Sequence, residues 1–581
     1  MRKIAIVAVS VLFLTGSGLL AQTNLYTLEA PTGTNIGYGG HMGDVNGDGY
    51  DDIISGSQYP FGPNTVLIWA IDEFGLDGDV DKVIKGPAGV YFGATVAVGD
   101  LNGDSIDDIA VSAPKDTVSD IPGVGGVYVY YGSSTFTSGD TVGPADADVF
   151  ITRATPIANE WYGWNLAILD YNGDGTDDLA IGGLYTDGLL GRIEIRYGPD
   201  VGDTTAVAGK TYDQVLIGPA DSTKGKPDWG NGPSYFTGGA LDVGDFNKDG
   251  KDDIFSSHYG WAAHGKGGGG VGSIWLGGDG ADGLADHFLY PPWAMQKLEA
   301  YLYFAYRAVN AGDVDNDGAD DWLGVSHSWG VGMLWSGERG LGQADTTGTN
   351  TSAALDTVPL VTVIYPGATY GYNSSTFSFP GALGDINGDG YDDFAIADPK
   401  DSTEVATGKN GDGSVHVFLG GKGPTGTADV VMHGATGSAE NFGSGMFSVG
   451  DVNGDEIDDF AVSATESDKI YIYSGTGLTA GIADSDLLPE GFVLSQNYPN
   501  PFNPNTEISY QIPVEAKVTL RVHNMLGQEV KTMVSEIQAP GVHKVSWDGL
   551  DNSGQMVASG VYTYQLNFNG AKISRKMLLM R

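Results

Sequence analysis

Seven times the chain returns to one nine-residue pattern, Asp-x-Asn/Asp-x-Asp-x-x-Asp-Asp, starting at Asp44, Asp100, Asp170, Asp245, Asp313, Asp385 and Asp451. Successive starts lie 56, 70, 75, 68, 72 and 66 residues apart. A unit of that size cannot bury both of its own faces, so the repeats must stack on one another. Each acidic loop keeps similar company. An aromatic-glycine step stands upstream, clearest at Tyr38-Gly39, Phe92-Gly93, Tyr162-Gly163 and Phe442-Gly443. An apolar segment follows, such as Ile109-Ala110-Val111 or Phe394-Ala395-Ile396, and then an alternating strand closed by glycine, as in Val127 to Gly132 or Ile470 to Gly475. A further short strand, such as Val83 to Pro87 or Val431 to Ala435, precedes the next step. Four strands per repeat make a propeller blade, and seven repeats fall within the usual range of about four to eight blades. The expected fold is all-β: a seven-bladed β-propeller with calcium-binding loops, followed by a small Ig-like β-sandwich. The segment Leu25 to Pro31 has the look of a blade's last strand, so it is predicted to complete the seventh blade and close the ring.

The loop chemistry follows from the spacing. Calcium takes six to eight oxygens, and positions 1, 3, 5, 7 (through its carbonyl) and 9 of a tight loop can converge on one ion. In the first copy these are Asp44, Asn46, Asp48, the carbonyl of Tyr50, and Asp52. The second set is Asp100, Asn102, Asp104, Ile106 and Asp108; the third is Asp170, Asn172, Asp174, Thr176 and Asp178. Then come Asp245, Asn247, Asp249, Lys251 and Asp253, followed by Asp313, Asp315, Asp317, Ala319 and Asp321. The last two are Asp385, Asn387, Asp389, Tyr391 and Asp393, and Asp451, Asn453, Asp455, Ile457 and Asp459. An Asp/Asn-rich turn that only bonds its own backbone has no need of carboxylates at positions 5 and 9. Magnesium, which demands a rigid octahedron, suits so many protein oxygens less well. Glycine allows the sharp turn at position 6, as at Gly49; Ser105 and Glu456 stand there in the second and seventh copies, which predicts strained turns and weaker sites.

Over about residues 24 to 478 the repeats resemble the FG-GAP repeats of the integrin α-subunit propeller, which pair an aromatic-glycine step with a calcium loop of this type. The resemblance implies up to seven structural calcium sites on one face, with ligands met by other loops. Copies four to six lack a clean Phe-Gly, so the fold carries over better than any particular ligand.

Beyond Ser474 the pattern stops and Lys and Arg become more frequent. Alternating strands are predicted at Thr506 to Ile512, Lys517 to His523, Val561 to Phe568 and Lys572 to Met580. This block is similar to the type A C-terminal sorting domain of the type IX (Por) secretion system. The run Asn497-Tyr498-Pro499-Asn500-Pro501-Phe502-Asn503-Pro504 carries the likeness, together with Leu526-Gly527-Gln528, Trp547-Asp548-Gly549 and Ser559-Gly560-Val561-Tyr562. The resemblance implies export across a Gram-negative outer membrane through that machinery. At the other end, Arg2 and Lys3 precede an apolar run from Ile4 to Leu14, and small residues lead to Ala21, as in a secretory signal peptide. The expected organisation is a signal peptide at 1–21, propeller at 22–478, linker at 479–490 and sorting domain at 491–581, with no transmembrane segment in the mature chain.

The formal charge of -45 sits in loops of fixed spacing rather than in tails, which points to cations. Without grouped Lys and Arg a nucleic-acid partner is excluded, and the absence of cysteine excludes disulfides and thiol chemistry. A Gly-x-Ser-x-Gly elbow, a His-Glu-x-x-His helix and a Walker loop are all absent. The glycine tract Gly267 to Gly270 reads as a blade loop. His258, His264 and His287 are irregularly spaced; the aromatic stretch Tyr290 to Tyr306, with Trp293, Tyr301 and Tyr303, and the indoles Trp229, Trp261, Trp329 and Trp335 read first as core. No catalytic residue is therefore assigned. The expected activity is adhesion or binding of an extracellular protein or glycan by a secreted or cell-surface protein. A polysaccharide-acting hydrolase or lyase with a site in propeller loops, or a surface-layer component, is the alternative.

Overall fold

A computed structural model describes residues 9–10, 23–57, 64–72, 75–137, 141–153, 155–183, 192–199, 201, 213–216, 241–257, 272–278, 285–289, 307–326, 331–337, 355–356, 361–364, 379–400, 412–421, 424, 426, 428–435, 438, 440–475, 493–494, 502, 504–512, 516–523, 529–539, 541–558, 560–568 and 571–579. Most of the expected signal peptide, the linker at 479–490, Gly267 to Gly270, His258, His264, Trp229, Trp261, Trp329 and the Tyr290 to Tyr306 stretch lie outside the described residues. The chain divides into two compact units, Met1–Thr479 and Ala480–Arg581.

The first unit is a seven-bladed propeller of antiparallel sheets. The first strands of the blades are Ile36–Gly43, Val96–Gly99, Tyr162–Leu169, Leu241–Gly244, Arg307–Gly312, Phe379–Gly384 and Phe442–Gly450. They touch one another in succession around the ring, the seventh meeting the first. Each acidic loop joins its blade's first strand to a second one that begins at loop position 9, as in Asp108–Ala113 and Asp393–Asp398. Both faces of these second strands are buried, and they read as unbroken apolar runs rather than alternating ones. Apolar cores fill the wedges between blades: Ile54, Val66 and Ile68 of the first blade pack with Ile109 and Val111 of the second, and Leu323 and Val325 of the fifth with Phe394 and Ile396 of the sixth. The fourth blade gains an outer fifth strand, Leu355–Asp356, which leaves the fifth blade and pairs in parallel with His287–Leu289. His287 is buried in the fourth strand, beneath that outer one.

The ring closes between its two ends. Thr23–Glu29 pairs with Lys469–Tyr473 and completes the seventh blade, so the predicted closing strand is found, shifted by two residues from Leu25 to Pro31. Asp468 secures the join: its carboxylate accepts from Gly33 N at 2.5 Å and Asn35 N at 2.6 Å, and its carbonyl accepts from Ala30 N at 2.9 Å. One sequence reading needs correction. In the first blade the residue paired with the end of the second strand, eight places ahead of the acidic loop, is Ile36, followed by Gly37 at φ +100°. Tyr162 stands at the same distance and pairs with the end of its second strand, and Phe442 pairs likewise one residue farther from its loop, so the first repeat's step is Ile36-Gly37 rather than Tyr38-Gly39.

The second unit is a sandwich. Val493–Leu494, Thr506–Ile512 and Gly541–Trp547 form one sheet; Glu529–Gln538, Ala516–His523, Gly560–Phe568 and Ala571–Leu579 form the other. Ile508, Tyr510 and Trp547 of the first pack with Leu520, Tyr564 and Leu566 of the second. No helix among the described residues is long and apolar enough to cross a membrane.

Leu28 of the closing strand is fully buried among Leu67, Trp69, Ile470 and Ile472. Leu28→Ala is expected to lower the propeller's unfolding free energy by about 2–5 kcal/mol in a denaturant titration, because it opens a cavity at the seam of the ring.

Candidate metal centres

Every acidic loop is held by the same hydrogen bonds. The carboxylate at position 1 caps the turn, accepting from the backbone at positions 5 and 6: Asp48 N and Gly49 N reach Asp44 at 3.0 and 2.8 Å, Asp249 N and Gly250 N reach Asp245 at 3.0 and 2.8 Å. The carboxylate at position 5 accepts from position 7, as Tyr50 N to Asp48 at 3.0 Å. This wrapping needs left-handed backbone at position 6 and at position 4. Glycine supplies it at most places, while Lys248 (φ +61°) and Asn316 (φ +54°) take position 4 in the fourth and fifth loops. Ser105 and Glu456 both sit at φ +67° and keep the same bond to position 1, each 2.7 Å. The expected strain at these two turns is therefore present in the backbone, while the loop shape is unchanged.

Position 9 is the deepest of the five expected ligand positions. Asp52, Asp108, Asp178, Asp253, Asp321, Asp393 and Asp459 are all fully buried. From the second blade to the seventh, one oxygen accepts from the glycine that closes the third strand: Gly132, Gly198, Gly277, Gly337, Gly420 and Gly475 donate at 2.7–3.1 Å. In the first blade Ile71 N fills that role at 3.0 Å. Burial, reinforced by the carboxylates at positions 1 and 5, pushes Asp52, Asp108 and Asp178 up to about 7 and Asp253 and Asp393 up to about 8. Burial with the charges of Asp315 and Asp317 takes Asp321 to about 8 as well.

The donors suit a hard divalent cation. Asp313, Asp315 and Asp317 each offer an oxygen within 4.8 Å of the others. Asn172 turns its amide nitrogen to Asp174 at 3.0 Å and leaves a buried Oδ1 with no hydrogen-bond partner. All-oxygen donors gathered around a focus of negative charge are what calcium takes.

The sequence reading assigned no task to position 8, which is aspartate in all seven copies. The structure gives it one. Its carboxylate crosses to the preceding blade and accepts the main-chain N–H of position 1 there. Asp44 N reaches Asp107 at 2.9 Å, Asp100 N reaches Asp177 at 2.9 Å, and Asp170 N reaches Asp252 at 2.9 Å. The series continues from Asp245 to Asp320 at 3.0 Å, Asp313 to Asp392 at 2.8 Å and Asp385 to Asp458 at 3.2 Å. The residue before position 1 is correspondingly glycine in most copies: a Cβ on Gly43, Gly99, Gly244, Gly312 or Gly384 would lie 2.2–2.7 Å from that carboxylate. The second aspartate of the repeated Asp-Asp pair was the available signal.

Two outcomes follow. Ser105→Gly and Glu456→Gly should each stabilise the propeller by about 1 kcal/mol in thermal or chemical melts, since glycine takes left-handed backbone without penalty. In chelator the folded state holds protons on position 9 that the unfolded chain releases at about pH 4, so that stabilisation fades as pH rises; the melting temperature should fall from about pH 5 to about pH 8.5, and saturating calcium should flatten the slope.

Residues 92–130 and 381–418 match the FG-GAP repeat, and residues 503–571 match the FlgD Ig-like domain. The chain is 32% identical over 177 residues to phosphatidylinositol-glycan-specific phospholipase D of Bos taurus, covering 28% of this chain and 20% of that protein. It is 33% identical over 158 residues to integrin alpha-7 of Mus musculus, covering 26% of this chain and 12% of that protein. The chain thus spans a fifth or less of these relatives' lengths. Among solved structures it is similar to PorZ, a bacterial surface component of the type-IX secretion system of Porphyromonas gingivalis, at 15% identity and a TM-score of 0.38 over 98% of this chain and 63% of that one. The protein carries FG-GAP repeats with integrin α similarity in a seven-bladed propeller, joined to a segment that matches an Ig-like domain.

Proposed function

We propose that the propeller is a calcium-stabilised binding module, exported to the cell surface or beyond, which presents its loops to an extracellular protein or glycan. The observation that carries this reading is the sevenfold set of Asp/Asn loops, each ending in a carboxylate buried among like charges. An ion at each loop would be held by the side chains at positions 1, 3, 5 and 9 and the carbonyl at position 7. It would supply the countercharge that lets position 9 stay ionised. These are structural sites: the ions fix the loop face, and recognition falls to other loops. The integrin-like FG-GAP repeats agree with a ligand-binding propeller at a cell surface.

In this reading the chain is a cleaved signal peptide at 1–21, a propeller at 22–478, a linker at 479–490 and a C-terminal domain at 491–581 read by type IX secretion machinery. The motifs behind the sorting role are also structural residues. Trp547 is buried, donates to Leu550 O at 3.0 Å and meets Tyr562 edge-on at 5.4 Å, while the Tyr562 hydroxyl donates to Ala558 O at 2.8 Å.

The test is a melt and a binding screen of the purified mature chain, against glycans and matrix proteins, in calcium and in chelator. The expected result is a higher melting temperature that saturates at about 0.1–1 mM calcium, with a hit that chelation removes. An unchanged melt overturns the calcium sites. Turnover of a polysaccharide replaces the binding reading with a hydrolase or lyase, and self-assembly without a hit replaces it with a surface-layer component.

A further inference from the structure

One wedge of the propeller breaks the repeat. The last residue of a blade's third strand is aromatic in six blades: Trp69, Tyr130, Trp275, Trp335, Phe418 and Tyr473, all buried. In the third blade it is Arg196, 3% exposed. Arg192 and Glu194 stand on the same face of that strand, since alternate residues share a face. Arg153 and Glu160 join them from the connection out of the second blade. Arg153 pairs with Glu160, and Arg192 pairs with Glu194. Arg153 Nε lies 3.6 Å from Glu194, and the Tyr162 hydroxyl donates to Glu194 at 2.9 Å. Arg196 Nε is buried without a hydrogen-bond partner. Burying such a network is costly, and six other wedges place an aromatic ring at this point.

At the end of the same wedge, away from the acidic loops, a second irregularity appears. The residue before the aromatic-glycine step takes left-handed backbone, and in the first and seventh blades it is asparagine: Asn35 at φ +46° and Asn441 at φ +56°. In the second and third blades Tyr91 (φ +60°) and Trp161 (φ +55°) are held there instead. Asparagine accommodates this backbone; a bulky aromatic resists it, and such strain collects at functional sites. Trp161 stacks on Trp164 with centroids 5.3 Å apart and meets Tyr91 edge-on at 6.3 Å. Lys115 Nζ lies 4.1 Å from the Tyr91 ring centre and 4.6 Å from that of Trp161. All four side chains are partly exposed. The loop beneath is pinned, Trp161 N donating to Gly123 O at 3.1 Å and Tyr162 N to Val124 O at 2.9 Å.

Glu160, Trp161 and Tyr162 tie the ionic network to the aromatic group in three consecutive residues. Charge distinguishes the place further. In a chain of net charge -45, Lys115, Arg153, Arg192 and Arg196 gather here against Asp116, Glu160 and Glu194, a local surplus of cation. We propose that the junction of the second and third blades is the propeller's ligand site and that it takes an acidic glycan, a chain of uronate sugars. The aromatic faces meet the C–H faces of the pyranose rings, and Lys115 above them meets a carboxylate. This rests on the binding-module reading and adds the place and the ligand class.

The test uses the purified full chain in calcium, with trigalacturonate and its neutral methyl ester as probes, read by tryptophan fluorescence and calorimetry. The acid is expected to bind, and the ester at least about tenfold more weakly. Trp161→Gly relieves the backbone, so its melting temperature should hold or rise while affinity falls by more than about tenfold; a purely structural Trp161 would give the reverse. Lys115→Met should erase the preference for the acid. Absence of trigalacturonate binding at millimolar concentration, or unchanged affinity in Trp161→Gly, overturns the site. A hit in the wider glycan and protein screen alongside a silent trigalacturonate titration overturns this assignment and leaves the binding-module reading standing.

Discussion

The propeller depends on one aspartate used in two directions. At position 1 of each loop the side chain gathers the backbone of its own turn, and from the first blade to the sixth the main-chain N–H is given to a carboxylate of the next blade. Loop shape and blade-to-blade register are thus set by the same residue. An ion seated among positions 1, 3, 5 and 9 would act on both, since whatever fixes the position-1 carboxylate also fixes the N–H beside it. Six such junctions run in series, and the seventh is held by Asp468 and the strand contributed by the start of the propeller. Hydrophobic wedges supply the bulk of the stabilisation. The polar ring at the loop end aligns them.

Much of this architecture was legible in the order of residues, because the loop pattern is stringent and repeated. Seven acidic loops gave seven blades, and the alternation of Val127 to Gly132 gave a third strand that the structure places at Gly126–Tyr130. Other features were hidden for physical reasons. Position 8 looks like one more acid in an acidic loop; only the neighbouring blade shows what it bonds. Tyr38-Gly39 imitates the aromatic-glycine step, yet spacing from the loop gives that place to Ile36-Gly37. Left-handed backbone at position 4 was concealed wherever glycine filled it and surfaced only at Lys248 and Asn316. The change at Arg196 could have been found by laying the third strands side by side, since six end in an aromatic residue and one does not.

The two faces of the propeller are built on different economies of charge. On one, carboxylates are concentrated until burial and like charge hold the deepest of them well above the ordinary carboxyl range. On the other, around the junction of the second and third blades, cations and aromatic rings are concentrated in an otherwise acidic protein. The innermost strand joins the two, since its start carries the aromatic-glycine step and its end enters the acidic loop, as Tyr162–Leu169 does ahead of Asp170. The aromatic-glycine step and the acidic loop of a blade are therefore the two ends of one strand.

Ring closure has a kinetic consequence. The pairing of Thr23–Glu29 with Lys469–Tyr473 joins residues that are among the most distant in the propeller's sequence. Contacts of such separation form slowly, because a very long loop must be ordered before they contribute. Individual blades consist of local hairpins and can assemble early, but the seventh sheet stays open-edged until both ends of the propeller chain meet. The native ring is thus a late event in folding, and once shut it unfolds only by parting a seam that every other blade helps to hold in register.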